Sequence, residues 1–201
     1  MPSENHSRYA LSLSVSGISC GQGRFETEAD IETLSADLDF PESLGISIAV
    51  SRRFESLPIR AELEAIYCNP PSNDGSMRLF WVDADLGTDL DFLSGMFNIY
   101  YEIPMELPVF GEWRVDAGLG YGYAISRIAI DLSLGSDSVA DTLAQWDDCC
   151  QLILGVSHPI GQRFELFLHY RYLMTGEIVK ESNRIDLPDM HSANLGVRML
   201  F

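Results

Sequence analysis

Ionisable side chains recur at every second position in several short runs. Arg60, Glu62 and Glu64 form one such run, Arg114 and Asp116 a second, Glu165, His169 and Arg171 a third, and Arg198 stands in the last ten residues. Guanidinium and carboxylate groups held this way make charge-assisted pairs, and a histidine beside an acid can serve as a general base. All nine are expected to form one paired network, because charges taken out of bulk water must be compensated. His169 is read as a hydrogen-bonded member of that network rather than a catalyst, since buried polar groups are normally satisfied. Nucleophilic chemistry finds poorer material. His191 and Ser192 are adjacent and so point to opposite faces of a strand. His158 sits in an expected turn, and there is no Gly-x-Ser-x-Gly elbow.

Four cysteines, Cys20, Cys68, Cys149 and Cys150, fall near the ends of these segments. Their clustering at one rim makes them disulfide candidates in an oxidising compartment, with four free thiols as the competing reading. Cys149 and Cys150 are neighbours and would not bridge each other without strain. A zinc site lacks the paired C-x2-C spacing, so no metal and no cofactor is expected.

The elements that must position these residues show a period of two, the mark of a β-strand with unlike faces. Large apolar residues alternate with polar ones in residues 9–19, 44–51, 59–68, 93–102, 113–123, 151–157, 163–174 and 192–201. In residues 163–174, Phe164, Leu166, Leu168, Tyr170 and Tyr172 oppose Glu165, His169 and Arg171. Three ionisable residues on one face of residues 59–68 cannot sit cheaply in an apolar core. A wall with hydrocarbon outside and ions inside accommodates them. In residues 113–123 the inner positions include Gly118, Gly120 and Gly122, leaving room for long side chains from across a narrow barrel or permitting sharp curvature.

The chain therefore reads as all-β, an eight-stranded antiparallel up-and-down transmembrane barrel, with residues 9–201 as its single domain and residues 1–8 as a polar N-terminal segment. Long connections at 21–42, 68–91, 127–148 and 175–190 alternate with short turns at 55–58, 103–112 and 158–162, so long loops share one end and the turns the other. Residues 77–82 are a candidate extension of the neighbouring strands, residues 138–146 a short helix, and residues 21–42 too polar and irregular for core. Eight strands make an interior that side chains just fill, so no open water channel is expected. No run of about eighteen apolar residues exists, which excludes a transmembrane helix.

The net charge of −17 is unevenly spread. The four long connections carry 21 of the 30 acidic residues and five of the 13 basic ones. Such loops disfavour nucleic acid, which needs a basic stripe; the plainer reading is solvated loops kept soluble by charge, and the alternative is attraction of divalent cations or basic partners. Residues 1–8 are polar with no apolar stretch of the kind a secretory signal carries. A barrel of this kind requires such a leader, so the reading expects it to have been removed or lost through a wrongly placed start.

Three stretches, Glu165 to Gly176 (ELFLHYRYLMTG), His191 to Phe201 (HSANLGVRMLF) and Val115 to Tyr123 (VDAGLGYGY), resemble the OmpA-type and opacity-type porin-family barrels of Gram-negative outer membranes. The resemblance implies an outer-membrane location, surface-exposed loops and periplasmic termini. It further implies a terminal aromatic that the barrel-assembly machinery recognises: here Phe201, with Met199, Val197 and Leu195 in step behind it. Members are adhesins, serum-resistance factors and envelope-stabilising proteins. The four cysteines are unusual for such barrels. The expected protein is a monomeric, non-enzymatic surface barrel embedded in outer-membrane lipid and lipopolysaccharide, with acidic loops offered to host or matrix ligands. The alternatives are an outer-leaflet lipid-modifying enzyme and a soluble lipocalin-like carrier with its apolar face turned inward. Aromatic residues near strand ends, Tyr9, Tyr101, Trp113 and Tyr172, suit a membrane girdle better than the carrier.

Overall fold

Alternation in sequence becomes alternation of exposed and buried side chains. A computed structural model of the chain describes residues 9–28, 33–39, 42–54, 57–69, 73–79, 82–107, 111–134, 137–180, 183–186 and 189–201. Along these the chain forms β1 (Tyr9–Cys20), β2 (Gln22–Glu28), β3 (Thr33–Asp39), β4 (Ser43–Arg53), β5 (Ile59–Cys68), β6 (Asn73–Leu79) and β7 (Val82–Leu107). There follow β8 (Gly111–Leu134), β9 (Asp137–Ile160), β10 (Phe164–Met174), β11 (Glu177–Lys180), β12 (Asn183–Asp186) and β13 (Met190–Leu200).

Eight of these strands close a ring in which every neighbour is antiparallel, in the order β1, β4, β5, β7, β8, β9, β10, β13 and back to β1. The closing seam sets Leu11 opposite Met199 and Val15 opposite Leu195. It is finished at the termini, where the Phe201 amide donates to the Tyr9 carbonyl at 2.9 Å and the Tyr9 amide to the Phe201 carbonyl at 3.3 Å. A closed ring leaves no unpaired backbone edge in lipid, which is why strands can span a bilayer only this way.

Strands β7, β8 and β9 hold 26, 24 and 24 residues, against the roughly 9–11 a tilted strand needs to cross hydrocarbon. Their excess rises at one end of the ring, where β6 adds to β7. At that end β2, β3, β11 and β12 form a second sheet in the order β11-β12-β2-β3.

Several sequence expectations change here. Residues 138–146 are not helical: they continue β9, with Val139 opposite Leu132 and Leu143 opposite Ile128. Ladder hydrogen bonds to β8 override a weak local helix propensity. Much of residues 21–42 is not irregular but pairs as β2 and β3. The turn expected at 158–162 moves on, because β9 reaches Ile160 with Pro159 opposite Glu165, and Gly161 turns at a φ of 68°. Pairing likewise runs from Glu102 to Leu107 against β8, which begins at Gly111 with a φ of 76°; residues 108–110, Pro108 among them, lie outside the described residues.

The glycine row of β8 has a lateral purpose. A Cβ at Gly118 would meet the Tyr100 ring at 2.8 Å and one at Gly120 would meet Asn98 Oδ1 at 2.2 Å. The room is therefore taken by side chains of the adjoining strand, not by chains reaching across the lumen. At Gly122 the Cβ would stand 2.0 Å from the Gly95 carbonyl oxygen, and backbone cannot step aside as a flexible side chain can. Gly122→Ala is expected to lower stability by about 1–3 kcal/mol, the usual cost of forcing atoms into filled space, read as an earlier urea midpoint. An unchanged midpoint would mean β7 and β8 are less closely apposed at this level.

Candidate functional site

The two faces of the wall could hardly differ more. Leu13, Leu63 and Leu119 are 63%, 65% and 64% exposed on the outside, while Arg60, Glu165 and Arg198 are 1%, 0% and 1% exposed within. Leu11, Ile48, Phe97 and Leu168 all face outward and Glu62 and Arg171 inward. The lipocalin-like alternative required the opposite arrangement and is overturned.

Inside, strand periodicity stacks the ionisable residues into one network. Glu165 of β10 is its most heavily used acid. Arg198 Nη1 reaches it at 2.8 Å, Arg53 Nη2 at 3.3 Å, and Arg114 Nη1 is also paired with it. Arg60 of β5 donates from Nε to Glu102 at 2.8 Å, pairs through Nη1 with Glu62, and lies 3.7 Å from the centre of the Tyr100 ring. Glu102 is shared with Arg53, whose Nε approaches to 2.5 Å. Further along the lumen Arg171 pairs with Glu64 at 2.7 Å, and Asn98 donates to the same carboxylate at 2.9 Å. His169 Nε2 lies 3.0 Å from Asp116, with its ring between those of Phe167 and Tyr100.

Arg60, Glu62, Glu64, Asp116, Glu165, His169, Arg171 and Arg198 lie buried on the inner face, and Arg114 half-buried beside them. Arg53 and Glu102 join them, and among the described residues five guanidinium groups then face five carboxylates. Both additions were within reach of the sequence. Arg53 is the next inward step after Ser51, and Glu102 follows Asn98 and Tyr100 on one parity. A balanced set of ion pairs, mostly buried, holds the walls together.

The loop-side end of the lumen is different in kind. Ile18, Ile66, Phe92, Leu173 and Met190 converge there with Cys68, Met96 and Cys149 in a buried apolar cluster. The inward parity changes from polar to apolar over the loop-side steps of β1, β5, β10 and β13, a switch that periodicity alone does not flag. A space of about 20 Å³ lies beside this plug, room for about one water.

The four cysteines are free thiols, so the disulfide candidates are not joined. Cys149 faces inward with Sγ 3.2 Å from Met96 Sδ, whereas Cys150 is exposed on the outer face. Consecutive strand residues point to opposite sides, which separates this pair. Among the described residues no group of three or more His, Cys, Asp and Glu side chains could hold a metal ion.

On the outer face the other two described histidines are engaged locally. His191 Nδ1 is 2.6 Å from the Tyr170 hydroxyl, and His158 Nδ1 lies 2.9 Å from the Glu112 carbonyl with its ring against Trp113. Around the loop-side rim, outward tyrosines donate to aspartates: Tyr67 to Asp91 at 3.4 Å, Tyr121 to Asp148 at 2.9 Å, and Tyr172 to Asp189. At the opposite rim Tyr9 stacks with Phe201, and Arg52 lies over Tyr9 and Phe54. Rings at both ends of an apolar band are the positions where amphipathic aromatics meet the membrane interface.

A closed ring of eight strands with this inside-out wall has direct structural counterparts. It superposes on Neisserial surface protein A with a TM-score of 0.58 at 14% identity, covering 96% of this chain and 97% of that one. With OprG of Pseudomonas aeruginosa the TM-score is 0.57 at 13% identity, over 97% of each chain. With AlkL, determined in lipid bilayers, it is 0.52 at 13% identity, over 100% of this chain and 93% of that one. The fold is the eight-stranded outer-membrane β-barrel. No protein-family model matches the chain and no curated protein matches it by sequence, so the barrel is shared while the residues are not. A wall needs only the right parity at each position, and many sequences satisfy it.

Proposed function

We propose that this chain is an integral outer-membrane surface protein without catalytic machinery, whose work is done by the acidic segments carried above the barrel. The observation that carries this reading is the lumen: a charge-balanced network sealed by an apolar plug is built for rigidity. The four long connections, with 21 of the 30 acidic residues, contact basic or cation-bearing surfaces of host, matrix or neighbouring envelope components. Charge of one sign held at a surface speeds encounter with the opposite sign and loses effect as salt rises. The lipid-modifying alternative is less well supported, because the described histidines are each occupied by a local partner rather than by a serine or cysteine.

Refolding in detergent tests the membrane part of the reading. The folded chain is expected to migrate as a compact monomer on a gel without heating and at its full apparent mass after boiling. Folding to a monodisperse monomer in plain buffer would sink it. Release of fatty acid from lipopolysaccharide or phospholipid, lost in His191→Ala or His158→Ala, would establish the enzyme instead.

A further inference from the structure

At the turn-side end of the lumen a small cavity of about 10 Å³ is lined by Ser51, Arg53, Arg60 and Arg198, with Ala10 and Leu200 among its apolar neighbours. That is space for about one water-sized sphere. Arg60 and Arg198 are 1% exposed and Ser51 is 3% exposed, so bulk water does not serve them. Arg60 uses Nε and Nη1 on Glu102 and Glu62, and Arg198 uses Nη1 on Glu165. Arg60 Nη2, Arg198 Nε and Nη2, and Ser51 Oγ are left with no hydrogen-bond partner among the described residues. The acid paired with Arg60 Nη2, Asp116, is 3.9 Å away, too far for a hydrogen bond. Among the described residues no carboxylate lines the cavity.

We infer that this cavity is a binding site for a small monovalent inorganic anion of chloride size. A guanidinium keeps its proton throughout the accessible pH range and offers donors only. Three such residues, with a serine hydroxyl that can turn to donate as well, line the cavity, and among the described residues none of the carboxylates that pair with them reaches it. A water molecule placed there would have two hydrogens of its own to satisfy, whereas a halide needs only donors. The small volume excludes sulfate and phosphate. The ligating residues come from β4, β5 and β13, and β1 runs between β4 and β13, so the ion ties together the strands flanking the closing seam. Arg53, with 22% of its side chain exposed, is the wall of the cavity nearest solvent.

The test uses the full chain refolded in detergent. Urea midpoints measured in sodium chloride and sodium bromide are expected to exceed those in sodium gluconate at equal ionic strength, with an increment that saturates as halide rises, because a ligand of the native state stabilises it by mass action. Crystals soaked in bromide are expected to show an anomalous peak within hydrogen-bond distance of Arg60 and Arg198. Ser51→Leu, which fills the cavity, is expected to abolish the halide dependence while keeping heat-modifiable migration. Should that variant fail to fold, the bromide peak decides. Equal midpoints in all three salts, a water that bromide does not displace, or a saturable halide effect persisting in folded Ser51→Leu would each overturn the assignment. None of these outcomes depends on what the loops bind.

Discussion

Replacing Glu165 by Ala is expected to be the most damaging single change in the lumen, costing about 3–5 kcal/mol, the range for breaking a buried ion pair by removing one partner. Glu165 is fully buried and is the acid on which Arg198, Arg53 and Arg114 converge. Its loss leaves three cations at the turn-side end with too little negative charge, and Arg198, 1% exposed, with no solvent to replace the lost acid. Glu165→Gln should fall between the two, since it keeps the shape and some acceptor capacity but removes the charge. Urea unfolding in detergent, followed by intrinsic tryptophan fluorescence, reads the difference. A cost below about 1 kcal/mol, the ordinary worth of an exposed pair, would mean that water reaches this end of the barrel freely.

On the other face, Leu168→Arg is expected to cost about 2–4 kcal/mol, the depth-dependent penalty for a cation at the midplane of a lipid-facing barrel wall. Leu168 points outward at mid-strand in β10, 51% exposed to what is lipid in the membrane. Phe164→Arg, at the beginning of the same strand, should cost only about 0–1 kcal/mol because a long cation there reaches the interface. Measured together in lipid vesicles, the two map the bilayer onto the wall. Equal costs at both positions would show that the apolar band is not centred on Leu168. The pair also separates the faces: the damage at Leu168 comes from adding a charge, and at Glu165 from removing one.

Much of this architecture was legible from residue order. A strand has a period of two, so Arg60, Glu62 and Glu64 necessarily share a face, and hydrocarbon at the alternate positions necessarily shares the other. Once eight such segments are counted, closure follows from the cost of unpaired backbone in lipid. The paired interior then follows from the cost of isolated charge. These steps rest on local geometry and solvation, which the chain carries with it.

Partner assignment is another matter. That Glu165 gathers three arginines, that Glu102 is divided between Arg53 and Arg60, and that Gly122 lies against the Gly95 carbonyl depend on stagger between strands. Residues 138–146 read as helix because the pattern of one segment does not show its cross-strand partner, and the hairpin ladder with β8 outweighs their local preference. The cysteines share a rim in one dimension, yet Cys149 and Cys150 part to opposite faces, and Cys68 joins an apolar plug in which Ile66 of its own strand meets Ile18, Phe92, Leu173 and Met190 from strands far apart in sequence. Parity and composition belong to the sequence because each residue senses its neighbours and its solvent. Register, the plug and the arginine-lined cavity belong to the folded ring, because they exist only where side chains from separate strands are brought to one level.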